Sequence, residues 1–103
     1  MDKNNAIEIS QKYLAKVRQN NIPVLSAWLF GSYAKGTFGE NSDIDIALVL
    51  PENTISFATE VRLMTLRKGE ETIIEPHVYA PREFNENTPI VSQIKKYGIR
   101  MFA

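Results

Sequence analysis

The chain has 103 residues, 44% of them hydrophobic, with 12 Lys and Arg balanced by 12 Asp and Glu; this length supports one hydrophobic core, so a single domain over residues 1–103 is expected. The absence of Cys excludes disulfides, thiolate catalysis and Cys-ligated metal centres, and lone His77 argues against a His-rich metal site. Zero formal net charge argues against direct nucleic-acid binding through the whole surface and against an anionic membrane, since both need clustered cations.

The N-terminal Met1-Asp2-Lys3-Asn4-Asn5 has no apolar stretch, and the apolar runs Ala27 to Phe30 and Ile46 to Leu50 are too short to cross a bilayer, so no membrane segment and a soluble, cytoplasmic protein are expected. Residues 3–20 read as an amphipathic helix, with Ala6, Ile7, Ser10, Tyr13, Leu14 and Val17 on one stripe and Lys12, Lys16 and Arg18 outside it. From Pro23 to Phe30 the sequence is apolar at both parities, as in a strand covered on both faces, and Gly31-Ser32 ends it. After one helical turn over 32–35, Gly36, Gly39 and Glu40-Asn41-Ser42 make a loop. A second strand begins at Asp43, with Ile44, Ile46, Leu48 and Leu50 on one face and Asp43, Asp45, Ala47 and Val49 on the other.

Pro51 stops that strand, and Asn53 or Thr54 caps a predicted helix to about Lys68 with Phe57, Val61 and Met64 inward. A third strand over about 71–79 puts Glu75, His77 and Tyr79 on one face, and Pro76 assigns it to an edge or a bulge. Thr88 and Pro89 open a last helix, with Ile90, Val91, Ile94 and Tyr97 inward and Gly98 at its end; Ile99 to Phe102 form a short edge strand. The expected fold class is α+β, with α/β-type layering: a small mixed β-sheet of three to four strands with helices packed on it.

The chemistry centres on Asp43 and Asp45. If the first two strands are antiparallel, the end of one and the start of the next meet at one edge of the sheet, and Gly31, Ser32, Asp43 and Asp45 converge. Two carboxylates on one strand face repel, and a divalent cation relieves that repulsion. Oxygen ligands without Cys favour Mg2+ or Mn2+ over zinc, held through the carboxylates together with substrate phosphates. Two ions would serve to activate an attacking oxygen and to hold a triphosphate. Gly31 permits close approach of the backbone, and Ser32 with the amides after it offers donors to phosphate oxygens.

The run GSYAKGTFGENSDIDIALVL, with ten residues between Gly31-Ser32 and Asp43-x-Asp45, resembles the signature of the DNA polymerase beta-like nucleotidyltransferase superfamily, in particular its minimal nucleotidyltransferase (MNT) branch. The resemblance implies the nucleotidyltransferase fold, a nucleoside triphosphate substrate such as ATP, and two Mg2+ or Mn2+ ions with nucleotide bound. It implies that Asp43 and Asp45 are catalytic metal ligands, that Gly31 and Ser32 hold phosphates, and that Lys35 stands where Arg is common, keeping the charge without the bidentate contact. Members use a third acid on the next strand, for which Glu75 is the candidate, one methylene longer than the usual Asp. Ser42 and His77 are candidates to support these groups from behind. Members are often paired with an all-helical HEPN protein as toxin and antitoxin, and some transfer AMP to that partner.

Two functions lead, ahead of a third in which a nucleotide or small molecule is the acceptor without a protein partner, which the small size of the pocket disfavours. One is an enzyme moving a nucleoside monophosphate to a hydroxyl, on a partner protein because a chain this short has no extra domain to hold a large acceptor. The other is an inactive binding subunit that neutralises a helical partner by contact. Phe38 can stack on a base or bury itself, Trp28, Leu29 and Phe30 are assigned to the core, and Lys12, Lys16, Lys95 and Lys96 to solvated helix faces. Residues 36–60 carry five acids and no Lys or Arg, so the balanced total conceals an acidic block around Asp43 and Asp45.

Overall fold

The computed structural model describes residues 1–101. Helix α1 (Lys3–Gln19) starts where the Asp2 carboxylate accepts the Asn5 N–H at 2.9 Å, and it buries Ala6, Ile9, Ser10, Tyr13, Leu14 and Val17. Strand β1 (Ser26–Phe30) leads through Gly31 into the single turn α2 (Ser32–Lys35), and β2 (Ile44–Val49) follows a loop. Helix α3 (Phe57–Thr65), strand β3 (Ile74–Tyr79), the short α4 (Pro81–Phe84), helix α5 (Pro89–Tyr97) and strand β4 (Ile99–Arg100) complete the order.

The four strands form one mixed sheet in the order β3-β2-β1-β4, with β1 antiparallel to β2 and β4, and β2 parallel to β3. Period-two alternation assigns each strand residue to one of two covered faces. Ala27, Leu29, Ile44, Ile46, Leu48 and Ile74 pack with Tyr13, Leu14 and Val17 of α1 and Leu63 of α3. On the other face Phe30, Ala47 and Val49 pack with Phe84, Val91 and Ile94. Pro76 lies on an edge strand, where its missing N–H interrupts no ladder on the outer side.

Several expectations change in detail. The first strand begins at Ser26 and the second at Ile44, so Asp43 lies just ahead of β2. The helix after Pro51 is split: a 3-10 turn over Glu52–Thr54 closes on the Pro51 carbonyl, and Ser56 caps α3 by accepting the Thr59 N–H. Its buried residue is Leu63, whereas Phe57 (83% exposed), Val61 and Met64 face outward. The roll of the helix is set by α1, whose Tyr13 hydroxyl donates to the Leu63 carbonyl at 2.6 Å. In α5, Val91 and Ile94 point inward while Ile90 and Tyr97 are exposed.

The third strand starts at Ile74 because Gly69, at φ +57, opens a 3-10 turn in which Glu71 folds back to accept the Lys68 N–H. Lys16 is part of this turn's packing rather than of a solvated face: its ammonium pairs with Glu71 and donates to the Leu66 carbonyl. Trp28, expected in the core, is half-buried between Phe84 and the Arg100 guanidinium. Phe38 stacks on Tyr33 with centroids 4.6 Å apart. Phe102, in the expected last strand, lies outside the described residues.

Candidate active site

The end of β1 and the start of β2 meet as their antiparallel pairing requires, with Phe30 opposite Asp45. Across the parallel pair, Asp45 stands opposite Glu75 and Ala47 opposite His77. Residues opposite one another share a face, so Asp45, Glu75 and His77 emerge together beside Phe30. One ligand atom from each of the three lies within 4.8 Å of the others. His77 Nε2 is 3.1 Å from Asp45 Oδ1; a carboxylate only accepts, so in this contact Nε2–H is the donor. The Phe30 ring meets the imidazole edge-on, with centroids 5.0 Å apart, and fixes its orientation.

Gly31 forms the wall behind Asp45. Its backbone has φ +75° and ψ −151°, a conformation available to glycine, and a Cβ there would collide with Asp45 Oδ2. Only a residue without a side chain lets this carboxylate sit against the turn. Ser32 opens α2 directly beyond it and is half-buried. Asp43 is exposed, and its carboxylate is not in the close group formed by Asp45, Glu75 and His77. Lys35 reaches α5, donating to Gln93 Oε1 at 3.3 Å with its ammonium 5.4 Å from the centre of the Tyr97 ring. Ser42 holds the preceding loop, its Oγ accepting the Gly39 N–H at 2.8 Å. Farther along the same face of β3, burial and then the charge of Glu83 raise the Tyr79 hydroxyl pKa.

The donor set suits a divalent cation: two carboxylates and an imidazole, with Glu75 exposed, Asp45 and His77 partly buried, and the Asp45 carboxylate seated against the Gly31 backbone. A family model for the nucleotidyltransferase domain matches residues 10–101. The chain belongs to this family.

Among individual proteins, this nucleotidyltransferase domain is similar to the protein adenylyltransferase MntA of Shewanella oneidensis, with 38% identity over 52 residues. That stretch is 50% of this chain and 37% of the relative, so the match spans little more than a third of the curated protein. Solved structures share the fold. A toxin–antitoxin complex with AMP-PNP superposes with a TM-score of 0.64 at 24% identity, over 89% of this chain and 72% of that one. A nucleotidyltransferase from Sulfolobus solfataricus gives 0.66 at 16% identity, over 95% and 80%. A mutant of the toxin–antitoxin pair MntA-HpeT gives 0.60 at 21%, over 100% and 74%.

Of the residues singled out in the sequence, the fold brings Gly31, Asp45, Glu75 and His77 together, leaves Asp43 and Ser32 at the rim, and turns Lys35 toward α5. Sequence reading named His77 as a support for these groups without naming its partner, Asp45. Alternation along β3 placed His77 on the face of Glu75, but only the parallel register with β2 brings its ring to Asp45.

Proposed function

We propose that this nucleotidyltransferase transfers AMP from ATP to a hydroxyl on a helical, HEPN-type partner protein, as the antitoxin of a toxin–antitoxin pair in the cytoplasm. The observation that carries the reading is the register of Asp45 with Glu75, which puts two carboxylates beside the Gly31-Ser32 turn. The adenylyltransferase relative and the toxin–antitoxin neighbours support the nucleotide and the kind of partner.

In this reading Asp43 and Asp45, with Glu75, hold the divalent ions, and bound Mg2+ or Mn2+ supplies positive charge to the phosphates and to the departing pyrophosphate. Gly31 lets the phosphate chain approach the backbone, Ser32 donates to a phosphate oxygen, and Lys35 offers its ammonium to the rim once released from Gln93. The acceptor oxygen forms a bond to the α-phosphorus, the bond from that phosphorus to the bridging oxygen of the β-phosphate breaks, and pyrophosphate leaves. Glu75, exposed on the open side of the site, takes the proton of the acceptor hydroxyl. Ser42 holds the approach loop in place, and His77 orients the Asp45 carboxylate before the ions bind.

Incubating the chain and a candidate partner with α-labelled and, separately, γ-labelled ATP tests this. The expected result is label on the partner from the α position alone, lost in Asp45→Asn and Asp43→Asn. Transfer of γ label, or none from the wild type with either metal, overturns it. The second reading, a binding subunit acting by contact, draws on the exposed Phe57, Val61 and Met64 stripe of α3; tight partner binding by both Asn variants with no transfer by the wild type would establish it.

A further inference from the structure

Asp45 and Glu75 are direct neighbours across the sheet, whereas His77 stands two residues farther along β3. Its ring still leans back over that distance, so that Nε2 comes to 3.1 Å from Asp45 Oδ1 rather than pointing to solvent along the strand. Two ligands at right angles on a small divalent ion with bonds of about 2.1 Å stand about 3.0 Å apart. The Nε2 and Oδ1 atoms therefore already have the spacing of adjacent ligands on one ion. The Glu75 oxygen lies within 4.8 Å of both, on an exposed side chain. Phe30 braces the imidazole from the other side, which limits the entropy lost when it binds.

We propose that Asp45, Glu75 and His77 form a mixed oxygen and nitrogen site that takes Mn2+ in preference to Mg2+, with His77 Nε2 as a direct ligand. The inference rests on the nucleotidyltransferase reading only for the expectation of a divalent ion at this place. Mg2+ gives up water reluctantly and selects oxygen, so an imidazole in its shell adds little. Mn2+ tolerates an imidazole beside carboxylates better than Mg2+ does, so a neutral nitrogen donor raises its affinity relative to Mg2+. Zinc is disfavoured by the supply of donors, since the chain has no Cys and no second His. Asp43, outside the group, is left for the ion that arrives with the nucleotide. Binding replaces the Nε2 proton by the metal, and that proton passes through solvent to Nδ1, so the bound imidazole stays a neutral donor.

Mn2+ alone, without nucleotide, is the probe. Pulsed electron paramagnetic resonance of the wild-type protein with Mn2+ should show coupling to an imidazole nitrogen, and that coupling should vanish in His77→Gln. Titration should give Mn2+ binding at least about tenfold tighter than Mg2+, a preference that His77→Gln reduces through a loss of about tenfold for Mn2+ and less than about threefold for Mg2+. His77→Asp should restore affinity for Mg2+ but not the preference for Mn2+.

Bound Mn2+ without nitrogen coupling in the wild type, or no Mn2+ binding there, overturns the proposal without relying on the folding of any variant. Unchanged Mn2+ affinity in His77→Gln overturns it as well, leaving His77 as a hydrogen-bond partner of Asp45. The label-transfer experiment fails separately: nitrogen-coupled Mn2+ with no transfer to any acceptor overturns the enzymatic reading alone, and transfer without nitrogen coupling overturns this inference alone.

Discussion

Gly31 and Glu75 carry the two sharpest demands of the site. At Gly31 a methyl group meets two penalties together, the positive φ and the carboxylate oxygen of Asp45 where the Cβ would stand. Gly31→Ala is therefore expected to cost roughly 1–3 kcal/mol in urea unfolding and to displace Asp45, so that transfer falls further than stability explains. Glu75 is exposed, and its loss should not disturb the fold; Glu75→Gln is expected to lower the transfer rate about 10²–10⁴-fold with nucleotide affinity changed little, as single-turnover and binding measurements would show. Wild-type turnover in that variant would move the proton acceptor elsewhere. Gly31 and Asp45 were legible because a glycine before a turn and an acid in an apolar strand are local anomalies. The contact of His77 with Asp45 was not, because it depends on a parallel register between segments about 30 residues apart, and local sequence does not encode register.

At the level of elements, local signals were uneven: the helix start expected at Asn53 or Thr54 fell at Ser56. Thr88 and Pro89 opened α5 as expected, yet in α3 the stripe at i, i+4 and i+7 faces outward and Leu63 is the anchor. Both sides of α3 carry apolar residues, and the contact that decides between them, Tyr13 with the Leu63 carbonyl, comes from a helix 50 positions earlier. Leu63→Ala should cost about 2–5 kcal/mol, whereas Phe57→Ser should change stability by less than about 0.5 kcal/mol; urea midpoints of the two variants would reveal a helix rolled the other way.

The same α1 to α3 bond makes stability depend on alkaline pH. Burial first, opposed by Arg67 and reinforced by Glu71, holds the Tyr13 hydroxyl well above the ordinary tyrosine value of about 10. A pKa raised in the folded state stabilises fully below the unfolded value and is lost as pH rises from about 10 toward the folded value. Tyr13→Phe is expected to be about 1 kcal/mol less stable near pH 8 through the lost hydrogen bond, and the gap should narrow by about pH 11. A gap that stays constant over that range would mean Tyr13 ionises equally in both states.

For the whole molecule, the balanced charge conceals an uneven distribution. Residues 36–60 hold five acids and no Lys or Arg, and they deliver Asp45 to a site where Glu75 already stands opposite across the sheet. The layered sheet follows from the sequence because β1 and β2 are apolar enough for two covered faces; the acids are tolerated because they cluster where water reaches them. Their mutual repulsion opposes folding, and a divalent ion that binds only the native arrangement should reverse that effect. Saturating Mn2+ or Mg2+ at about 100 times the dissociation constant stabilises by about 2.7 kcal/mol, which for a domain of this size raises the unfolding midpoint by about 10 °C or more. A chelator should return the midpoint to its starting value, and Asp45→Asn should remove most of the shift. NaCl at matched ionic strength separates binding from screening: if it reproduces the full rise, the acids are relieved by screening of a diffuse charge rather than by an ion held at Asp45 and Glu75.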